Sequence, residues 1–204
     1  MNLVRLLQLA SPTLPVGAYS YSQGLEAAVE AGVVHDAASA EAWIADALAN
    51  SIGRFEGPVL WRMMHGEALN DLFLAGRETA ELRAETLQMG HSLAKLVSEL
   101  GLGSVPLEEP AYPAVFAFAV ARLELDRKDA LLAYLWSWLE NQVMAALKAV
   151  PLGQTAAQKI LLSLGGGLEA IADAAPSVSL SNFTPGLAML SALHETQYSR
   201  LFRS

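Results

Sequence analysis

The sequence predicts an all-α protein, a single-domain bundle of roughly eight to ten helices joined by short loops. Apolar residues recur at helical spacing along most of the chain, β-branched residues are scattered, and hairpin turn signals are missing. The 204 residues are also enough to bury a sizeable core. We expect residues 1–195 to form the helical domain and residues 196–204 to form a flexible C-terminal tail.

Proline, glycine and capping residues set the helix limits in the first part of the chain. A short helix is predicted from Met1 to Leu9, and a second from about Tyr21 to Ala31. Asp36 or Ser39 can cap a third helix. The chain then restarts at Gly57-Pro58, because proline suits the first turn of a new helix.

The clearest amphipathic helix is predicted from Arg77 to Leu100. Its apolar stripe has residues alternately four and three apart: Leu82, Thr86, Met89, Leu93, Leu96 and Leu100. The polar side carries Glu81, Glu85, Gln88, Lys95 and Glu99. Such a helix packs one face on the core and leaves the other outside.

A buried helix over Tyr112 to Arg122 and a long helix from about Arg127 to Val150 follow. Asp126 can cap the long helix, which we interpret as the centre of the fold. Its apolar side is wide enough to pack on two neighbours and includes Leu131, Leu132, Leu135, Trp136, Trp138, Leu139, Val143 and Leu147. Its narrow polar edge consists of Tyr134, Ser137, Asn141 and Lys148.

Three consecutive glycines interrupt the next helical pattern. Thr155 can cap a helix whose apolar residues continue to Ile171, with Gly165-Gly166-Gly167 inside it. Glycine is unfavourable in a helix interior, so the three residues indicate a close approach of two backbones, a bend, or a simple break. The last helix is predicted from Pro185 to about Glu195.

The composition limits the classes of partner. Hydrophobic residues make up 53% of the chain and charged residues 17%, which fits either apolar surface hidden in partners or a well-packed, alanine-rich monomer. The net charge of -8, without a run of basic residues, argues against binding to nucleic acid or to an anionic membrane. No targeting or membrane-spanning segment is evident. The absence of cysteine fits a reducing cytoplasm, where we expect the protein.

The sequence offers no recognisable catalytic or metal-binding constellation. Its four histidines form no closely spaced pair, and without cysteine a soft metal site cannot be built. His91 lies opposite the apolar stripe, as a surface residue or a metal ligand, whereas His194 is expected at the edge of the core. The hydroxyls after Gly17 could stabilise an oxyanion, but no histidine accompanies them. We therefore expect no enzyme, no cofactor and no resident metal.

Two segments, Ser11 to Glu30 and the C-terminal tail, are candidates for binding a ligand or a partner. Ser11 to Glu30 is a proline-containing, hydroxyl-rich loop that leads into a helix and lacks the pattern of a phosphate-binding loop. The tail places Arg200 and Arg203 around apolar residues, either to dock on a partner or as a frayed end.

These segments carry a resemblance to the urease accessory protein UreF family. Three blocks in the family's order support it: LLQLASPTLPVGAYSYSQGLEAAVEAGVV, LLAYLWSWLENQVMAALKAVPLGQTAAQK and FTPGLAMLSALHETQYSRLFRS. The chain departs from the family at Ala18-Tyr19, where Gly-Phe is frequent, and at His91, where arginine is frequent.

The resemblance implies an all-helical accessory factor of nickel urease without chemistry of its own. It implies a homodimer that binds UreD, also called UreH, and with it recruits the GTPase UreG, which delivers nickel to apo-urease. The C-terminal tail would become ordered on UreD. An effect on GTP hydrolysis by UreG, through Arg200 or Arg203 supplied in trans, ranks below plain scaffolding.

Carried over position by position, the resemblance implies three groups of partner-binding residues. The first block provides Pro15, Gly17, Tyr19, Tyr21, Ser22 and Glu26. The second provides Asn141, Gln142, Lys148, Pro151, Gly153 and Gln154, and the third His194, Glu195, Tyr198, Arg200 and Arg203. Lys148 is the expected contact for UreG, because it ends the polar edge of the central helix beside the turn at Pro151.

Three functions remain open. The leading one is a non-enzymatic assembly factor for insertion of nickel into urease. The second is a metallochaperone that itself binds nickel through surface histidines, with His91 and His194 as candidates. The third is an enzyme or a helical module of unrelated function.

Overall fold

The computed structural model describes residues 2–204 and confirms the all-α fold, with no strand in this part of the chain. The α-helices are α1 (Asn2–Leu9), α2 (Leu25–Glu30), α3 (Ala37–Ala47), α4 (Gly57–Met64), α5 (Asn70–Ala75), α6 (Ala80–Glu99), α7 (Tyr112–Arg122), α8 (Arg127–Ala149), α9 (Gln154–Gly165), α10 (Leu168–Ala174) and α11 (Pro185–His194). A 3₁₀ turn spans Ala18–Ser20 and a π-helix spans Leu48–Glu56. Met1 lies outside the described residues.

Helix α8 is the central helix, as predicted. It packs against α1, α2, α3, α4, α9 and α10. The Asp126 carboxylate caps it by accepting a hydrogen bond from the Asp129 amide at 3.0 Å. Leu131, Leu135 and Leu139 are fully buried, because an apolar arc this wide needs neighbours on several sides. Trp136, expected on the same arc, is instead 38% exposed.

Helices α3 and α4 form one continuous helical run through the π-helix, so the predicted restart at Gly57-Pro58 is wrong. Pro58 does lie in the first turn of α4, as expected. The Gly57 amide bonds to the Ile52 carbonyl, five residues back. Proline has no N–H to place, so the change from π to α spacing loses no donor at Pro58. The run delivers Glu56, a charged residue, into the core.

Helix α6 begins later than predicted, because the Thr79 hydroxyl accepts from the Leu82 amide and caps it. Its first turns follow the predicted stripe, but the buried face then drifts from Leu96 and Leu100 to Val97, and Leu100 is exposed. An ideal helix rotates 100° per residue, so a strict seven-residue pattern drifts around its axis.

Two other helix limits differ from the prediction. Helix α2 begins at Leu25 rather than Tyr21, because Gln23 and Gly24 have left-handed backbones with φ of 54° and 82°. Helix α9 begins at Gln154 after Gly153, so Thr155 does not cap it. The three glycines break the helix, which separates α9 from α10 and selects one of the predicted alternatives.

Residues 196–204 run back across the helical domain. Phe202 and Ser204 are buried, and Tyr198 and Leu201 are exposed. The segment makes backbone and side-chain hydrogen bonds to the loop before α2, to α2 and to α6. Its expected flexibility stays a prediction, while its contacts define the site described next.

Candidate functional site at the junction of the three sequence blocks

The structure brings the three sequence blocks together at one place, which we call the motif junction: residues 11–26, the C-terminal half of α8, and residues 194–204. Lys148 lies at its centre. Its Nζ is 5.9 Å from the centroid of the Tyr19 ring and 5.6 Å from that of Phe202. An ammonium group at this distance is attracted by the faces of both rings. One cation of α8 therefore bridges the first block and the third.

Backbone hydrogen bonds fasten the end of the chain to the first block. The Ser204 carbonyl oxygen accepts from the Ser22 amide at 2.8 Å and from the Ser22 hydroxyl at 2.5 Å. The Arg203 amide donates to the Ser20 carbonyl at 2.8 Å. Ser22 and Ser204 are both buried, where an unmade hydrogen bond would be unfavourable.

A buried cluster of charged residues supports this contact from below. The His194 ring nitrogens lie 2.7 Å from Glu81 Oε2 and 3.2 Å from Glu26 Oε2. Arg200 Nη1 lies 2.5 Å from Glu81 Oε1, so the same carboxylate binds the histidine that ends α11 and an arginine of the tail.

Glu26 also holds the tail directly. Its two carboxylate oxygens accept from the Leu201 amide at 2.7 Å and the Phe202 amide at 2.9 Å. Hydrogen bonds to a charged acceptor are shorter and stronger than those between neutral groups. A single side chain of α2 thus binds both the tail backbone and the histidine that ends α11.

Two side chains of α8, Asn141 from its polar edge and Trp138 from its apolar side, hold the first block. Asn141 Nδ2 donates to the Tyr21 carbonyl at 3.2 Å, and Trp138 Nε1 donates to Gln23 Oε1 at 2.8 Å. The Gln23 amide in turn donates to Glu85 at 2.7 Å. The loop is therefore fixed by α8 and α6 together.

Glu85 was predicted on the polar side of α6, and this is wrong, because it is buried at the junction. Gln23 and the Ser204 hydroxyl, at 2.8 Å, donate to its two oxygens. Burial raises the pKa of Glu85 from 4.5 to about 7, because the ionised form loses its hydration. No partner of Glu85 lies near it in sequence, so its spacing on the helix alone indicated a surface residue.

Beneath the junction, a cavity of about 160 Å³ opens between residues 9–19, α6 and α8. The polar edge of α8 lines it, from Tyr134 at the buried end to Lys148 at the exposed end. The Tyr134 hydroxyl donates to Glu56, and Arg77 Nη1 lies 3.2 Å from the other Glu56 oxygen. Burial, aided by the Glu56 charge, raises the pKa of Tyr112 and of Tyr134. Both phenols are therefore neutral near pH 7.

The predicted partner-binding residues divide by exposure. Those buried within the chain are Tyr21, Ser22, Glu26, Gln142 and His194, and Gly17 and Asn141 are partly buried. Those exposed are Pro15, Tyr19, Lys148, Pro151, Gly153, Gln154, Glu195, Tyr198, Arg200 and Arg203. In this conformation only the exposed set is accessible to a partner. Pro151, Gly153 and Gln154 lie in the connection from α8 to α9 and take no part in the hydrogen bonds of the junction.

The two candidate histidines, His194 and His91, differ in their exposure to solvent. His194, which was expected at the edge of the core, is fully buried, and both its nitrogens face carboxylates. His91 is exposed on α6. Within residues 2–204, no three or more histidine, cysteine, aspartate and glutamate side chains are grouped to hold a metal ion. The same part of the chain has no helix both long and apolar enough to cross a membrane.

Comparison with known proteins assigns the family. A family model described as UreF matches residues 34–165. The urease accessory protein UreF of an Azoarcus species is 53% identical over 225 aligned residues, which cover 100% of this chain and 96% of the relative. The protein of the same name from Dechloromonas aromatica is 52% identical and is covered to 98%. The chain belongs to the UreF family.

The similarity to UreF proteins extends through all three sequence blocks. Because these relatives align over the whole chain, the tail and the first loop belong to the shared sequence. A longer relative from Bordetella bronchiseptica, named bifunctional urease accessory protein UreEF, is 50% identical, and the chain spans 52% of its length. A sequence similar to this UreF chain is thus part of a larger accessory protein there.

Proposed function

We propose that this UreF chain is a non-enzymatic scaffold of urease maturation in the cytoplasm. As a homodimer it binds UreD/UreH, and together they recruit the GTPase UreG to apo-urease for insertion of nickel. Its membership of a family of urease accessory proteins supports the general role. Its own structure supports the mode of action, because its polar groups are used to fasten one chain segment to another.

The observation that carries this proposal is an apolar surface formed by α11 and the tail. Met189 and Leu193 lie one helical turn apart and are exposed, as are Tyr198 and Leu201. Leu201 lies close to α11, since its amide and His194 bind the same Glu26 carboxylate. We call these four residues the α11–tail surface. Large apolar side chains held outward on a fastened segment are typical of a protein interface.

Charge at the motif junction supports a separate contact with UreG. Lys148 and Arg203 are both exposed, and they line the same surface depression together with Tyr19 and Phe202. The protein as a whole has a net charge of -8. A local pair of cations in an acidic protein attracts an acidic partner. Arg200 is bound to Glu81, so Arg203 is the better candidate for an arginine that modulates GTP hydrolysis by UreG.

Co-purification with UreD tests the scaffold proposal. The test compares the wild-type chain with the double variant Tyr198→Ser and Leu201→Ser. Both side chains point away from the core, so the fold should persist while the apolar contact is lost. We expect UreD binding to weaken by at least about tenfold, which corresponds to roughly 1.4 kcal/mol of interface energy.

A matched control is Leu162→Ser, which changes an equally exposed leucine on α9. This variant should bind UreD as the wild type does. Equal binding by all three chains would move the contact away from the α11–tail surface. Absence of binding by the wild type, with UreD shown to be folded, would contradict the scaffold proposal. Tight stoichiometric nickel binding that is lost in His91→Ala would instead favour the metallochaperone alternative.

A further inference from the structure

One edge of α8 presents three hydrogen-bond acceptors to the cavity beneath the motif junction. Ser137, Glu140 and Asn141 are spaced by three and four residues, so they lie on one side of the helix, and all three line the cavity. The Ser137 hydroxyl already donates to the Tyr134 carbonyl at 2.9 Å, and Asn141 Nδ2 donates to the Tyr21 carbonyl. The oxygens of both side chains remain available as acceptors. The three residues are partly exposed, so a group that enters the cavity can reach them.

Glu140 is the charged member of this edge, and no side chain among residues 2–204 forms a hydrogen bond or an ion pair with its carboxylate. Burial raises the pKa of Glu140, because the ionised form loses part of its hydration. No neighbouring cation acts against this rise. A cationic group placed in the cavity would supply the missing partner.

The other charged groups of the cavity are already engaged. In its buried part Glu56 is paired with Arg77, and Glu85 accepts hydrogen bonds from two side chains. Lys148 lies near two aromatic rings of the motif junction. It is two helical turns, or about 12 Å, beyond Glu140 along the axis of α8. Glu140 is therefore the carboxylate that an entering cation meets without a competing partner.

The walls of the cavity suit an apolar body attached to that cation. Leu82, Met89, Tyr112 and Trp138 line it, and the faces of aromatic rings attract cations. The volume of about 160 Å³ is close to that of an engineered cavity, roughly 150 Å³, that binds benzene in another protein. A metal ion would need several further oxygen ligands and would make no use of these walls. An organic ammonium ion fits both the walls and the acceptor edge.

We propose that this cavity binds a small primary amine with an apolar body, whose ammonium group pairs with Glu140 and donates to Ser137 and Asn141. The three N–H groups of a primary ammonium match the three acceptors. The apolar body then lies further inside, against the side chains of α6 and α8 that line the cavity. The inference does not depend on the proposed scaffold function.

Calorimetric titration of the full chain with benzylamine and with benzyl alcohol tests this site at pH 8. The two probes have the same ring and nearly the same size, but only benzylamine offers a cation. We expect benzylamine to bind at one site and benzyl alcohol to bind at least about tenfold more weakly, because the charge-assisted hydrogen bonds are lost. Equal affinities, or no binding of benzylamine at millimolar concentration, would overturn the proposal.

Methylamine separates this site from general attraction of cations to an acidic protein. It has the same charge as benzylamine and no ring, so it should bind at least about tenfold more weakly. The titrations are made at physiological salt, where attraction to distant surface charges is largely screened. Methylamine binding as tightly as benzylamine would show that the apolar walls play no part, and the cavity would be rejected as the site.

Variants place the probe at the acceptor edge. Glu140→Gln keeps the shape of the side chain and removes its charge, so the affinity for benzylamine should fall at least about tenfold while that for benzyl alcohol is unchanged. Because Glu140 is partly exposed, this variant should fold as the wild type does. Glu41→Gln is the matched control, since Glu41 is also partly exposed but lies on α3 outside the cavity, and it should bind benzylamine normally. Equal loss in both variants, or a benzylamine-soaked crystal with the amine elsewhere, would reject the site.

Discussion

At the scale of single residues, the Glu26 carboxylate is central to the motif junction because it contacts three of its groups. It accepts the Leu201 and Phe202 amides and faces His194. In Glu26→Gln the charge is lost, and one amide N–H of glutamine must point at a donor. We expect the free energy of unfolding to fall by about 1.5–3 kcal/mol, the usual value of hydrogen bonds to a charged group. Urea unfolding measures it.

The control for this change is Glu30→Gln on the exposed side of the same helix, which should leave stability unchanged within about 0.5 kcal/mol. Hydrogen exchange gives a second readout. The Leu201 and Phe202 amides should exchange faster in Glu26→Gln and as in the wild type in Glu30→Gln. Slow exchange of both amides in Glu26→Gln would show that the carboxylate does not hold the tail.

Some roles at the motif junction could not be predicted from the sequence. Glu26, Ser22 and His194 were expected to bind partners, which stays a prediction, and in the structure each is buried in contacts within the chain. Glu85 and Arg77 were not expected at the site at all. Their roles come from neighbours more than fifty residues away or from a stack of aromatic rings, and helical periodicity carries no information about either.

At the scale of helices, the close packing of α6 on α7 depends on Gly90. A Cβ at this position would lie 1.8 Å from the Pro110 carbonyl oxygen and about 3 Å from two further backbone atoms. Because backbone cannot rotate away as a side chain can, Gly90→Ala must push the start of α7 off α6. We expect a loss of at least about 3 kcal/mol, or failure to fold, as measured by thermal unfolding.

Gly186→Ala is the matched control on α11, where nothing lies within 4 Å of the added Cβ. Alanine is favoured over glycine in a helix, so this change should stabilise the protein by about 0.5–1 kcal/mol. A Gly90→Ala protein as stable as the wild type would show that α6 and α7 pack less closely than described.

Helix limits were predictable where a local signal set them and not where packing did. The Asp126 cap and the long α8 follow from the sequence alone. The π-helix before α4 does not follow from the sequence. Its hydrogen bonds join residues five apart, and it ends at Glu56, whose contacts with Arg77 and Tyr134 depend on tertiary packing. The break after Gly165 was one of three alternatives, and the sequence alone could not choose among them.

At the scale of the whole molecule, the junction links the two ends of the chain through a carboxyl group whose protonation changes near neutral pH. Glu85 is bound by Gln23 from the first block and by Ser204 from the last. The all-α class and the central position of α8 could be read from the sequence, but this long-range link could not. It makes stability, a property of the entire fold, respond to pH.

Burial raises the pKa of Glu85 from 4.5 in the unfolded chain to about 7 in the folded one. Below pH 4.5 both states are protonated. As the pH rises from 4.5 to 7, the unfolded chain releases its proton first, so the folded state loses relative stability, by about 3 kcal/mol in total.

In Glu85→Gln this part of the decline should disappear, whereas Glu78→Gln, at an exposed position before α6, should keep it. Urea unfolding from pH 4 to pH 8 measures the difference between variants, which cancels the contributions of other acids. Parallel curves for the wild type and Glu85→Gln would mean that the carboxyl group titrates normally and that the junction is open to water.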